Sequence, residues 1–298
     1  MEKIKVAVIG AGGKMGTRTS NNLVTKFPDK FEVKLVETFP PAVERIEKER
    51  GLKVTPLEEA LDFAEVIIFA VPDTLIKKLS AEYVPMLKPG TVFLILDPAA
   101  AVAKELTLRD DCTFGVAHPC HPSYFKWQKE EEAYLDRFGG EGGHMDIVMS
   151  CIQGDEEKFK LAQETARCMY RAEKAFVMSS EQIAFLEPTL VETLGATCCY
   201  AMAETVEEAV KRGIDREAAV SFLTGHIFNL TANFLGYLPG NPPVSDACKI
   251  ALEIGNHLVL RDDWKKIWDD ELLMKVIATM LHPETAMENL GFEVKPQN

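Results

Sequence analysis

The sequence predicts an α/β domain on a mostly parallel sheet, followed by an all-α C-terminal domain. Three observations predict it. Short Val/Ile/Leu-rich runs alternate with helical stretches through the first half. A glycine-rich turn joins the first run to the first helix. After Met178 no strand pattern recurs, and long helical periods take over.

The apolar runs fall at residues 5–9, 31–36, 66–70, 92–96 and 113–117, with later candidates at 147–151 and 175–178. Continuous runs of this length suit strands buried on both faces. Helical slots fall at 15–25, 41–50, 75–87 and 156–171. Residues 179–212 then read as one long helical segment, with Ser179 or Ser180 as a cap and Glu181 in the first turn. Gly213 is a plausible stop, and Pro188 predicts a kink or a break inside the segment. A helix from about Asp215 to Phe234, the Pro/Gly-rich loop GYLPGNPPVSD, and helices near 247–260 and 269–280 complete the chain. The expected domains are therefore 1–178 and 179–298.

Composition narrows the class. A chain of 298 residues is long for one core and suggests two domains. A net charge of −13 repels polyphosphate backbones and argues against nucleic acid as a partner. No apolar run approaches the roughly 20 residues that span a bilayer, so no membrane is expected. The start, MEKIKVAVIG, enters the first strand pattern at once, so no signal peptide is expected. The 7 cysteines are scattered and form no CxxC pair, so reduced thiols and a cytoplasmic location are expected.

The turn Gly10-Ala11-Gly12-Gly13-Lys14-Met15-Gly16 follows a strand and opens a helix. Glycines allow a tight turn and close approach of a pyrophosphate, and the helix start supplies N–H donors. The pattern is GxGGxMG, one residue longer than the plain fingerprint. It marks a dinucleotide-binding Rossmann domain. Glu37 ends the second run 21 residues after Gly16, where a carboxylate would hold ribose hydroxyls and repel a 2′-phosphate. Thr38-Phe39-Pro40 brings no Arg, so NAD is favoured over NADP. The third run ends in Ala70-Val71-Pro72, where a wall of the cofactor cleft is expected.

With GxGGxMG, the FAVPD turn and one long helix leading the second half, the chain resembles the 6-phosphogluconate dehydrogenase-like superfamily. VFLILDPAAA, AHPCHPS, EQIAFLEPTL, GHIFNLTANFLGY and PPVSDACKIALE are similar to one branch of it. That branch has a phosphogluconate dehydrogenase C-terminal-like domain and includes the D-apionate oxidoisomerases. The resemblance implies NAD-linked oxidation of a small polyhydroxy carboxylic acid, possible coupled isomerisation, and a homodimer formed through the helical domain. One departure stands out. Many superfamily members carry a catalytic Lys on the long helix, but no Lys lies between Lys174 and Lys211 here. Their Lys-based mechanism does not carry over.

Other residues must then do the chemistry. His118-Pro119-Cys120-His121-Pro122 follows the fifth run, at the sheet edge where ligands bind in open α/β folds. His118 is the expected base, taking the hydroxyl proton while hydride passes to the nicotinamide, with His121 beside it. Prephenate dehydrogenases have a comparable HPM turn, which supports His118 more than His121. Glu187 sits in an apolar setting before Pro188. Glu192 follows five residues later, off that face in an unbroken α-helix. His226 and Asn229 share a helix face at i, i+3 and could meet substrate polar groups. His118, His121, Glu187 and His226 are also the candidate set for a divalent metal, which a ketol rearrangement would use as a Lewis acid. His144 lies in a glycine-rich segment that could form a lid. Two rival functions remain: a prephenate-dehydrogenase-like or simple 3-hydroxy acid dehydrogenase, and an NAD-binding sensor without catalysis.

Overall fold

The computed structural model describes residues 2–240 and 242–294, so Asn241 of the expected Pro/Gly loop lies outside the described residues. Strand β1 (Ile4–Ile9) leads into α1 (Lys14–Thr25). β2 (Phe31–Val36) leads into α2 (Pro40–Glu44), which widens into a π-helical turn at Arg45–Glu49. Then come α3 (Leu57–Phe63), β3 (Val66–Phe69), α4 (Asp73–Tyr83), β4 (Val92–Ile95) and the short α5 (Ala99–Val102). β5 (Thr113–Pro119), α6 (Glu131–Leu135), β6 (Met145–Gln153), α7 (Glu156–Met169), β7 (Ala172–Val177) and α8 (Ser180–Ala184) follow.

The strands form one seven-stranded sheet in the order β2-β1-β3-β4-β5-β6-β7. Every neighbouring pair is parallel except β5 with β6. β3 and β4 are buried at every position, which is why VIIF and VFLI read as unbroken apolar runs. The antiparallel step has a simple origin. β5 ends at Pro119, the chain makes the excursion 120–144, and β6 returns from the same edge. That excursion therefore begins and ends at the edge where the parallel strands have their C-termini.

The fifth strand is longer than the sequence suggests. His118 and Pro119 pair with Val148 and Ile147, so His118 stands on the strand and not in the loop after it. Pairing with β4 stops at Val116, which leaves Pro119 with a strand neighbour on one side only. A proline without N–H is tolerated in such a place.

The chain separates into two compact units, residues 1–184 with 274–298, and residues 185–273. In the second unit a π-helix at Phe185–Ala196 runs directly into α9 (Thr197–Lys211). The expected break at Pro188 is corrected, because helix runs without interruption through it. The helix stays continuous by widening to i→i+5 bonding, and the Thr193 hydroxyl donates to the Pro188 carbonyl at 2.6 Å. Gly213, at φ +85°, ends the segment as expected. α10 (Arg216–Phe234) starts on an Asp215 side-chain cap, and α11 (Asp246–Leu258) on a Ser245 cap. Trp268 stacks on Phe185 at 5.8 Å between ring centres, a packing role. α12 (Asp270–Leu281) runs across the division, and α13 (Ala286–Leu290) belongs to the first unit. There His282 Nε2 meets Glu105 at 2.8 Å and ties the C-terminal segment to the sheet unit.

The glycine-rich part of the 120–144 excursion is organised by one carboxylate. Asp136 accepts from the N–H groups of Gly139, Glu141, Gly142 and Gly143 at 2.7, 2.8, 2.9 and 3.0 Å. Burial pushes this carboxyl up, but the four N–H donors outweigh burial and hold it below the usual carboxylate range. A carboxyl depressed in the fold contributes stability above its unfolded pKa, near 4, and loses it as pH falls through the folded value. Asp136→Ala is therefore expected to cost about 1–3 kcal/mol in urea unfolding at neutral pH. The difference from wild type should shrink as pH falls through the depressed folded-state value. Equal stability of the two proteins at neutral pH would contradict this account.

Candidate active site

The phosphate loop is closed by contacts that exclude side chains. Gly10 has φ +79°, and a Cβ there would strike the Ala70 carbonyl; one at Gly16 would strike the Gly10 carbonyl. A Cβ at Gly12 would lie 2.6 Å from the Ala42 methyl, because α2 packs on the loop. α7, α10 and α11 begin on side-chain caps, whereas α1 begins at extended Gly13 with none. Its first N–H groups thus face no capping side chain, the arrangement an anionic group fits.

Glu37 is tied into this loop. One carboxylate oxygen accepts from Gly12 N–H at 2.9 Å, and the other accepts from Thr38 and Phe39 N–H at 2.8 and 3.0 Å. Arg45 donates to the Gly12 carbonyl at 3.0 Å, so the Gly12 residue is clamped at both of its polar groups. A cleft of about 290 Å³ opens beside the clamp, lined by Gly10, Gly13, Glu37, Ala70, Val71 and Pro72 of the expected set, with Phe39 and Tyr83. Ala11, Gly12 and Gly16 are buried and form its framework. Met15 turns to Arg18, and Lys14 lies over the Phe138 ring at 4.2 Å. The apolar walls, the oriented carboxylate and the uncapped helix start fit a dinucleotide.

His118 stands two residues past the last β4–β5 pair, Ile95 with Val116. Extending that register by two residues puts Asp97 beside it, and Asp97 Oδ2 lies 4.0 Å from His118 Nδ1. Nδ1–H donates to the Leu96 carbonyl at 2.8 Å. A carbonyl can only accept, so the neutral ring carries its proton on Nδ1 and its lone pair on Nε2. Asp97 is itself oriented by Ala99 N–H, which donates to Oδ1 at 2.8 Å. A fixed imidazole with a carboxylate near its N–H side is equipped to accept a proton at Nε2.

His121 faces a different partner. Its backbone has φ +57°, a conformation costly for a residue with a Cβ, and Pro119 and Pro122 flank it. Its Nδ1 lies 3.5 Å from Arg18 Nη2, and its ring packs on Phe138 at 5.3 Å. His118 is thus held at the Leu96 carbonyl, and His121 lies against Arg18 and Phe138. A divalent cation in the sheet unit would find its oxygen donor in Asp97.

In the helical unit Glu187 is half-buried and Glu192 is exposed on the same π-helix. A π-helical turn is wider than an α-helical one, so Glu187 and Glu192 lie closer in angle than they would on an α-helix. His226 and Asn229 do share a face of α10, but both are exposed. His226 Nδ1–H donates to the Phe222 carbonyl at 2.7 Å, and its ring stacks on Phe222. His144 is half-buried between strands and loop, where burial and then Arg171 push its pKa down.

Two residues of interest carried no signal of their own in the sequence. Asp97 ends an apolar run in a DP step, and Arg18 reads as an ordinary helix-surface cation. Arg18 is 3% exposed, with its guanidinium over the Phe138 ring at 4.2 Å.

Comparison with known proteins follows this geometry. Residues 126–281 match the family model described as phosphogluconate dehydrogenase (decarboxylating) C-term. A D-apionate oxidoisomerase of Blautia hydrogenotrophica is 71% identical over 95% of this chain and 99% of its own. One from Cupriavidus necator is 41% identical over 92% of this chain and 98% of its own. A crystal structure of a semialdehyde dehydrogenase NAD-binding protein from Cupriavidus necator, in complex with calcium and NAD, superposes with a TM-score of 0.88. It is 40% identical and covers 94% of this chain and all (100%) of that one.

Glu37→Ala removes the carboxylate that orders Gly12 and faces the cleft. Isothermal titration should show NAD binding weakened about tenfold or more, with the preference over NADP reduced, as loss of a charge-assisted bond implies. Unchanged affinity and preference would remove Glu37 from the cofactor site.

Proposed function

The chain belongs to the D-apionate oxidoisomerase family, and we propose that it binds NAD and oxidises D-apionate or a closely similar branched sugar acid, with coupled isomerisation. The single observation that carries the proposal is the His118 corner, because it supplies a base where the family's phosphogluconate branch would otherwise need its Lys. Hydride leaves the carbinol carbon of the substrate for the nicotinamide. His118 Nε2 takes the hydroxyl proton, and the Nδ1–H stays on the Leu96 carbonyl. Asp97 stabilises the imidazolium that results, at 4.0 Å. The keto product is the electrophile that the rearrangement requires.

Glu37 and the absence of a following Arg favour NAD over NADP. The Cupriavidus necator structure holds NAD and calcium. Asp97 offers an oxygen donor for such a cation here, and the cation would polarise the keto oxygen during isomerisation. Glu187 and Glu192 are proposed substrate contacts of the helical unit, with His226 and Asn229 less favoured because both lie exposed on α10.

The protein is further proposed to be a homodimer through its helical unit. Among the described residues α11 has none buried, and it exposes Ile250, Ile254 and Leu258 at i, i+4 and i+8. Phe222, Phe234 and Leu235 of the same unit are exposed as well. Apolar stripes of this kind are covered in the working protein, and a second copy is the simplest cover. A cytoplasmic location is proposed from the free cysteines.

Three measurements test the reading. Purified protein given NAD and a panel of sugar acids should reduce NAD with D-apionate or a near relative. Intact NAD binding without turnover on any of them would favour a sensor. His118→Gln should lower kcat by about 10²–10⁴ with NAD affinity retained, the range expected for a lost general base; full activity would dismiss His118. Ile254→Asp should shift the protein from dimer to monomer in analytical ultracentrifugation, whereas a wild-type monomer would refute the dimer.

A further inference from the structure

A second cavity, of about 550 Å³, lies on the other flank of the phosphate loop. It meets the cofactor cleft only at Gly13. Lys14, Thr17, Arg18 and Asn21 line it from one face of α1, at i, i+3, i+4 and i+7. Arg45 and Arg50 line it from the π-helical turn and its C-terminal end, and residues 138–141 complete the lining. Four cations thus converge with one carboxylate, Glu141, in a chain whose net charge is −13.

Two of these cations are incompletely partnered. Arg18 is 3% exposed, and its Nε has no hydrogen-bond acceptor among the described residues. Its Nη atoms reach Met15 Sδ at 3.8 Å and Met145 Sδ at 3.4 Å, both weak acceptors, and His121 Nδ1 at 3.5 Å. Asp136, a nearby carboxylate, already accepts four backbone N–H groups. Arg50 donates from Nη2 to Ser20 Oγ at 2.9 Å, while its buried Nη1 has no acceptor among the described residues. Buried guanidinium donors left without acceptors are costly. A fold that keeps two such guanidiniums on one cavity wall is shaped for an anion.

We propose that this cavity binds a phosphorylated small molecule at the same time as NAD occupies its own cleft. A phosphate or phosphoanhydride presents several charged oxygens to guanidiniums arriving from separate segments, which one carboxylate cannot do. The volume exceeds that of a single phosphate ion and lies in the range of small-ligand sites. Arg45 also holds the Gly12 carbonyl, so an anion drawn to Arg45 acts directly on the loop that Glu37 clamps from its other side. Occupancy of the two sites is then coupled, and each ligand changes the affinity of the other by the same factor.

The test is calorimetric titration of inorganic pyrophosphate into the full chain saturated with NAD. Saturable binding of one pyrophosphate per chain is expected. Arg50→Gln should weaken it about tenfold with NAD affinity retained, as loss of one charge-assisted pair implies. Arg18→Gln should weaken it further. Should Arg18→Gln fail to fold by circular dichroism, the half-buried Arg50 variant carries the test alone. No binding to the NAD-saturated protein would overturn the proposal. So would an apparent Kd that rises in unlimited proportion to NAD, since the cations would then serve the cofactor's own pyrophosphate. Equal binding by wild type and Arg50→Gln would overturn it as well.

Discussion

The cofactor end of this molecule depends on backbone approaching backbone with nothing between. Gly10 lies against Ala70, Gly16 against Gly10, and Gly12 against Ala42, each too close for a side chain. These contacts bring β1, β3, α1 and α2 to one point. They also set the other features. α2 can reach Gly12, so Glu37 and Arg45 grip its N–H and carbonyl. α1 starts at Gly13 without a side-chain cap, and Gly13 itself lines the cleft. A single methyl at Gly12 would press on Ala42 and loosen the clamp that orients the Glu37 carboxylate.

The proposed chemistry rests on a second, independent piece of geometry. Parallel pairing of β4 and β5 carries Asp97 and His118 to the same height at the strand ends. Leu96 then fixes the tautomer of His118 by accepting from Nδ1. The proposed role of His118 requires no Lys, and the long helix has none between Lys174 and Lys211. The same helix uses a π-helical register to pass Pro188.

Much of the fold was legible because its signals are local or redundant. The strand runs are apolar at nearly every position, since both faces of the sheet are covered. The glycine loop was legible because its constraint is steric and falls on a few adjacent residues. α3, α5 and α6 were not, because helices of 7, 4 and 5 residues complete two turns at most and set no clear period. The strand position of His118 was hidden because Pro119 reads as a breaker, yet it sits where β5 has one neighbour only. Asp97 was missed because its partner is distant in sequence and is brought close only by strand register. Arg18 was missed because nothing local distinguishes a buried helical Arg from a solvated one.

The central claim is that a carbinol hydride leaves a branched sugar acid for NAD at this site. The most direct measurement uses D-apionate deuterated at its carbinol carbons, with NAD and the purified protein, read by NMR of the recovered nicotinamide and acid. The account predicts deuterium at the nicotinamide C4 position and an isomerised keto acid in equal amount. Consumption of the acid with the nicotinamide left oxidised and unlabelled would contradict it.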